Sequence, residues 1–533
     1  MTEHAAYRGT VALTRLALRR DRVLLAVWTL AFAAIAAVSA NATIGLYPTA
    51  LSRLAAAESI NRSATLVALY GRVYDPNSIG ALSLIKLGGF GSIFVAMLVV
   101  TVVVRHTRAD EESGRAELLG AAPIGRLAAT SAALAVATIA SIAIAITTTV
   151  ALAAVGLPLA GSATFGAAWG GVGFVFAGIA ALAAQVGEGA ASATAISAGT
   201  LAVVYVLRAI GDASSQPGLT WLHWLSPIGW AQQFRPYAGD RWWLLLLCLV
   251  AGGALMGVVL RIAGTRDLGA SLVRPRPGPE RTDRLRSAAT LAWRLHRTVL
   301  GTWAVALLLL GLLLGALAAN VGEFLNNPTA RDFIRRLGGP HALSDAFVAA
   351  ELGFAALMAA AFGVRTLTRA ATEERAGRVE PILSGPVSRS RWLWSSLGLA
   401  AVGSVVLMVC VGVGAGTGRA VSTGHGAEVA RTVGASLASV PAIWALVACV
   451  ALAVARSPRL APAGWSLLAA CVVIGEIGAL VGLPQWLMDL SPFTHVPRLP
   501  GAATAATPLV ALLAVAVGLA ACATITFARR DVG

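Results

Sequence analysis

The chain has 533 residues, of which 57% are hydrophobic and only 12% charged, with a mean hydropathy of +0.77. Charged residues stand at about half the ~25% of soluble proteins, which excludes a string of soluble domains. The 41 basic residues outnumber the 25 acidic ones and leave a net charge of +16. Apart from Lys86 they are all arginines, scattered in short connectors between apolar runs. A nucleic-acid surface would need a solvated basic domain, so the excess reads as membrane topology. The fold class expected is an all-α polytopic membrane protein.

A bilayer core of ~30 Å takes about 20 apolar residues per helix, and windows of that size predict twelve spans. The first half holds them near 23–45, 87–105, 128–156, 163–184, 191–210 and 242–262. The second half holds them near 298–320, 346–364, 392–417, 432–455, 462–483 and 506–527. Arg8, Arg15, Arg19, Arg20 and Arg22 precede the first run, and Ala40-Asn41-Ala42 near its end fits a small-x-small cleavage pattern. So many further spans favour an uncleaved first helix over a signal peptide. The 163–184 run is rich in Gly and Ala, which suits close helix packing, and Gly311–Gly315 and Gly412–Gly416 fit the small-xxx-small spacing. Most basic residues fall in the connectors that share a side with the N-terminus, which predicts both termini inside. Cys248, Cys410, Cys449, Cys471 and Cys522 all lie within apolar runs without metal-ligand spacing and read as packing residues.

The chain repeats itself at a spacing of about 263–275 residues. Leu16-Ala17-Leu18-Arg19, with Arg22 and Trp28, matches Leu291-Ala292-Trp293-Arg294, with Arg297 and Trp303. Glu111-Glu112-Ser113-Gly114-Arg115-Ala116-Glu117, with Pro123 and Arg126, matches Glu373-Glu374-Arg375-Ala376-Gly377-Arg378-Val379-Glu380, with Pro386 and Arg389. Trp221-Leu222-His223-Trp224-Leu225-Ser226-Pro227 matches Trp486-Leu487-Met488-Asp489-Leu490-Ser491-Pro492, and Arg266-Asp267-Leu268-Gly269 matches Arg530-Asp531-Val532-Gly533. The expected organisation is therefore two parallel six-helix halves related by an internal duplication. Residues 1–263 form the first, 298–533 the second, and an Arg/Pro-rich connector at 264–297, with Pro275, Pro277 and Pro279, joins them. Parallel halves imply a shared path along an axis normal to the membrane.

Catalytic chemistry finds no support. His4, His106, His223, His296, His341, His425 and His495 have no partner at metal or triad spacing. Ser226 and Ser491 each precede a proline, where a turn is the ordinary explanation. A P-loop needs Gly-Lys-Ser/Thr, and Lys86 lies between Ile85 and Leu87, so no nucleotide-binding motif and no cofactor are expected in this chain. The two inner segments remain. Each packs acids, arginines and a glycine together, and its recurrence in both halves favours docking of a partner over a plain solvated loop. The candidate docking residues are Glu111, Glu112, Gly114, Arg115, Glu117, Pro123, Glu373, Glu374, Gly377, Arg378, Glu380 and Pro386. Arg115 and Arg378 are read as outward-facing forked donors for a partner's carboxylate.

Arg208 and Asp212 stand four apart at an outer helix end, where a structural ion pair is expected. They join Trp221, Pro227, Trp486 and Pro492 as outer-gate candidates, the last four in short interfacial or re-entrant helices. Glu351 and Glu476 have no sequence-near partner, and Glu188 sits at the inner turn after span four. Phe90, Phe94 and Met97, with Phe354 and Met358, recur at helical spacing and are substrate-path candidates, with plain core packing as the competing reading.

The stretch Arg208-Ala-Ile-Gly-Asp212, followed by Trp221 to Trp230 and Pro236 to Trp243, resembles actinobacterial ABC-2 type permeases, the class of exporters of polyketide antibiotics that includes tetronasin-resistance permeases. The resemblance spans nearly the whole chain and weakens in the second half, where 419–431 and 484–505 lack most of the outer aromatics. It implies a multi-pass plasma-membrane permease subunit for efflux of hydrophobic or amphipathic drugs. It also implies a separate ABC ATPase, docked as two copies, that supplies ATP and Mg chemistry. By the same resemblance the inner segments are coupling helices, the N-terminal stretch is an interfacial connecting helix, and the path is built from spans one, two and five with seven, eight and eleven. The rival expectation is an ion-coupled secondary multidrug carrier.

Overall fold

The computed structural model describes residues 3–62, 64–214, 218–267, 269–273, 287–320, 340–477, 484–501 and 506–530. The prolines of the connector, most of the stretch between spans seven and eight and the side chain of Glu476 lie outside them. Among the described residues every regular element is helical, and twelve helices are long and apolar enough to cross a membrane. The chain forms two compact units, Met1–Gly278 and Pro279–Gly533, each with six of these helices.

In the first unit they are α1 (Thr10–Leu46), α2 (Ile79–Arg105), α3 (Ala128–Ala154), α4 (Leu159–Val186), α5 (Ala190–Ala213) and α6 (Trp243–Thr265). In the second they are α7 (Ala288–Asn320), α8 (Pro340–Arg375), α9 (Arg389–Thr423), α10 (Ala427–Arg456), α11 (Pro458–Gly475) and α12 (Ala506–Arg529). We call the end at which α1 or α7 begins proximal and the opposite end distal. Within each unit the first helix packs on the third, the third on the fourth, and the fourth on the second and sixth.

The stretch expected to be an interfacial helix is continuous with span one. Only Glu3–Ala6 stands apart, and from Thr10 the arginine-rich stretch continues into one helix of 37 residues. No proline or glycine interrupts it before Gly45, so nothing breaks the hydrogen-bond ladder. At 1.5 Å per residue α1 measures about 55 Å, well beyond a ~30 Å core. The break falls at Gly9, whose φ of 91° is open to glycine at little cost. Behind it the N-terminal turn is pinned to the connector after α2, where Gly125 and Leu127 donate to the carbonyls of Arg8 (2.8 Å) and Ala6 (2.9 Å). Helix α10 is also not one rod. Its segments Ala427–Leu437 and Val440–Arg456 meet at Ser439, because Pro441 has no N–H to offer the carbonyl of Leu437.

The glycines show what holds each unit. In the first, α4 is the most buried span. Its Gly166 and Gly170 lie against backbone of α3, its Gly171 and Gly178 receive Cys248 and Leu255 of α6, and Trp169 fills the space beside Gly91 of α2. In the second unit the most buried span is α10, while tight glycine contacts lie on α9. A methyl added at Gly414 or Gly418 would fall 2.1 or 2.3 Å from carbonyls of α7, and one at Gly311 or Gly315 of α7 would strike α9 in return. Gly412 and Gly416 face the first segment of α10 instead. The two small-xxx-small motifs thus serve packing inside one unit, in surroundings where close backbone approach replaces the hydrophobic effect as the adhesive.

Candidate functional site

At the proximal end of the first unit α2 breaks at His106–Thr107 into two short helices, Arg108–Glu112 and Arg115–Gly120. Gly114, at φ 71°, makes the bend between them. The acids are largely used within the chain. Asp110 meets Arg20 of α1 at 2.8 Å and Arg115 at 3.4 Å. Glu111 binds Arg108 at 2.8 Å and Arg266, just past α6, at 2.6 Å. Glu112 accepts from the Ala190 N–H at 2.7 Å, a carboxylate at the positive start of α5. The buried Arg108 guanidinium also binds the carbonyls of Ala184, Gln185 and Ala270, closing the end of α4. What stays open is Arg115, Glu117, Pro123 and Leu118, the last 77% exposed.

The second unit repeats this arrangement. Gly377 bends at φ 70°, Glu373 pairs with Arg378, and Glu374 pairs with Arg530 just past α12. Arg530 donates to the carbonyls of Val454 and Ala455 at 2.9 and 3.0 Å, closing the end of α10. Arg389 donates to the Arg530 carbonyl at 2.7 Å, as Arg126 donates to that of Arg266 at 2.8 Å. The contacts correct the letter-by-letter match of the doubled acids. Asp110 and Glu111 do in one unit what Glu373 and Glu374 do in the other, so no gap is needed, and Glu112 stands opposite Arg375. Arg378, Glu380 and Pro386 remain exposed, with the short helix Glu380–Leu383 between them.

The distal ends differ. In the first unit Arg208 is fully buried, and its Nη2 donates to the carbonyls of Ala68 (2.6 Å) and Leu69 (3.2 Å) while the guanidinium lies 4.4 Å over Tyr205. Asp212 stands 3.7 Å away, so the expected pair is an ion pair without a direct hydrogen bond. His223 approaches Asp212 at 3.8 Å, and burial pulls its pKa down. Trp221 lies on the turn Thr220–Leu225 and Pro227 opens the helix Pro227–Gln233, capped by Ser226 Oγ on the Gly229 N–H. The following loop wedges Tyr237 between Gly80 and Gly161 and bonds its hydroxyl to Ser162 at 2.8 Å, and burial pushes that hydroxyl up to about 12.

In the second unit Trp486 and Pro492 lie on short turns at Gln485–Met488 and Pro492–His495. The charges come from elsewhere. Asp345 of α8 meets Arg419 of α9 at 3.2 Å and Arg431 of α10 at 2.5 Å, and Glu428 meets the same arginines at 2.9 and 3.5 Å. The sequence reading passed over this network. A signal was present in Arg419, a charge closing a glycine-rich apolar run.

A relative fits this architecture from end to end. Over 532 residues, 99% of this chain and 96% of the relative, the sequence is 40% identical to the multidrug efflux system permease protein Rv1217c of Mycobacterium tuberculosis. The chain belongs to that permease family. Residues 285–528 also match the family model described as the C-terminal domain of the multidrug efflux system permease Rv1217c. The tetronasin-resistance class named from the outer tryptophan segment is finer than this, and the relative supports a multidrug efflux permease.

In this permease the aromatic stripe of α2 divides. Phe90 packs between Tyr70 and Tyr205, with ring centroids 5.9 and 6.1 Å away, while Phe94 and Met97 point out of the bundle and are exposed. On α8 Phe354 is exposed and Met358 half-buried. Glu351, two turns before Met358, has a buried Oε1 with no hydrogen-bond partner. Among the described residues no group of three or more His, Cys, Asp or Glu is placed to hold a metal.

Proposed function

We propose that the chain is an ABC-2 type permease subunit that exports hydrophobic or amphipathic compounds, driven by ATP hydrolysis in a separate ATPase chain. Its proximal ends face the cytoplasm of an actinobacterial cell, with both termini inside, and one ATPase copy docks on each proximal segment. The chain itself binds no nucleotide and performs no chemistry on its substrate. The two six-helix units descend from one duplicated unit, and substrate passes along the surface that carries Phe94, Met97 and Phe354.

The observation that carries this reading is the recurrence of one construction in both units. A left-handed glycine, an acid–arginine pair across it and a second acid locked to the arginine after the last helix make a rigid bent segment with an exposed outer face. A loop that only connected two spans would have no reason to be braced twice in the same way. In the proposed dock the exposed Arg115 and Arg378 exchange their partners Asp110 and Glu373 for a carboxylate of the ATPase.

The test is copurification and drug-stimulated ATP hydrolysis with Arg115→Glu, Arg378→Glu and the double variant. Breaking a buried, hydrogen-bonded pair costs about 2–5 kcal/mol, so each reversal weakens the complex and the two together dissolve it. A double variant that keeps its ATPase and full stimulation removes the docking role. One observation favours an ion-coupled carrier instead, the unpartnered Glu351 carboxyl inside α8. Transport that persists after ATP depletion while a proton gradient remains, and that fails in Glu351→Gln, would establish that alternative.

A further inference from the structure

We propose that the second unit carries, at its proximal end, a site for an amphipathic anion, a carboxylate or phosphate headgroup bearing an alkyl chain. The crevice borders the proposed ATPase dock and shares Glu373 and Arg378 with it, so its test uses the permease without the ATPase and does not depend on the docking role.

The crevice lies between the first two helices of the unit, and the first unit shows how the fold closes the matching place. There Asp21 of α1 is buried and bonds His106 Nε2 at 2.6 Å, with Arg105 3.3 Å from the same carboxylate. Acid and base neutralise one another and the helices meet. In the second unit the matching positions hold His296 and Arg369, so the acid has become an imidazole and the imidazole a guanidinium. No ion pair can form between them. Arg369 turns to the Leu295 carbonyl at 3.3 Å and to Glu373 at 3.7 Å. His296 is only 5% exposed, and its Nδ1 has no hydrogen-bond partner.

Where the first unit has a closed pair, the second has a cavity of about 260 Å³. That is room for roughly eight water volumes at ~30 Å³ each, enough for a headgroup and several methylenes. One wall is apolar, formed by Leu291, Leu295, Ile382 and Trp392, and the other presents His296, Arg369 and Arg378. Among the described residues the only acid on the lining is Glu373, already shared by Arg369 and Arg378, and Arg365 one turn up α8 has a buried Nη1 without a partner. A positive wall facing an apolar one, with donors in excess over acceptors, suits an anion that carries an apolar tail. A free inorganic anion would leave the tryptophan wall unused, and a cation would meet like charge.

The source can be an anionic phospholipid or a transported amphiphile, and both share this chemistry. The experiment measures equilibrium binding of radiolabelled decyl phosphate to the full-length permease in phosphatidylcholine nanodiscs. Decyltrimethylammonium and inorganic phosphate serve as competitors. The double variant His296→Asp/Arg369→His recreates the closed pair of the first unit. Ile382→Trp, on the short helix Glu380–Leu383 outside the spanning helices, fills the cavity from the side.

Saturable binding that both variants weaken by about tenfold (1.4 kcal/mol), that inorganic phosphate displaces poorly and that the ammonium compound does not displace, is the expected result. Unchanged binding in both variants, or equal displacement by the cationic amphiphile, overturns the proposal. Repeating the measurement in discs containing phosphatidylglycerol separates the sources. Loss of decyl phosphate binding there assigns the site to lipid, and undiminished binding assigns it to a non-lipid amphiphile.

Discussion

In the first unit α4 meets α6 through side chains, with Cys248 and Leu255 seated at Gly171 and Gly178. In the second unit α9 meets α7 through backbone, with Gly414 and Gly418 on the carbonyls of Leu308 and Leu312. The two units share one order of neighbours, yet the α4–α6 contact is fitted by side chains in notches and the α7–α9 contact by two main chains. Side chains can move aside when a notch is filled, and a carbonyl on a helix cannot. The second unit should therefore be the less tolerant of added volume. The same contrast runs through the charges. The distal arginine of the first unit is buried on backbone carbonyls with one acid nearby, while the second unit spreads two acids and two arginines over three helices.

The largest effect is expected from Gly414→Val with Gly418→Val. Overpacking a tight interface costs about 1–3 kcal/mol per site, and more where only backbone can yield. The double variant should lose its folded form in detergent, read as the yield of monodisperse protein. Gly171→Ala, whose methyl would meet the Cys248 side chain at 3.0 Å, should shift the melting midpoint only slightly. Equal losses from both would erase the contrast between the units.

Next in size is Asp212→Asn, which leaves Arg208 buried without an acid and should cost about 3 kcal/mol or more. Arg431→Ala in the second unit should cost about 1 kcal/mol or less, since its side chain is 43% exposed and Arg419 still serves Asp345 and Glu428. Thermal unfolding of the two variants against the parent ranks them, and a reversed ranking would break the comparison of the distal ends.

The smallest effect concerns pH. Burial lowers the pKa of His223 below its ordinary ~6.5, so the folded state resists the proton that the unfolded chain accepts. The stabilisation from a neutral His223 is complete above that ordinary value and is lost as pH falls through it toward the folded one. Acidification from pH 7.5 to 5.5 should lower the melting midpoint by less than any destabilising substitution above, and His223→Gln should remove that part of the pH dependence. An unchanged pH profile in His223→Gln would show that the distal end of the first unit carries no titrating group there.

Much of this was legible in the amino-acid sequence, because a bilayer imposes a length and a composition on every span. Twelve apolar runs and the grouping of arginines with acids in two connectors follow from solvent chemistry alone. The sequence could not say which acids are consumed at home. Glu111, Glu112 and Glu374 look as available as Glu117 and Glu380 until α5, α6 and α12 bring the Ala190 N–H, Arg266 and Arg530 beside them.

Nor could it show that Arg419 and Asp345 meet, or that His296 and Arg369 stand where Asp21 and His106 close the other unit. Such pairs lie far apart in the chain, and their meeting depends on the crossing of helices set by glycine contacts. Periodicity assigns a residue to a face of a helix, and only the packing of one helix on another decides what that face meets.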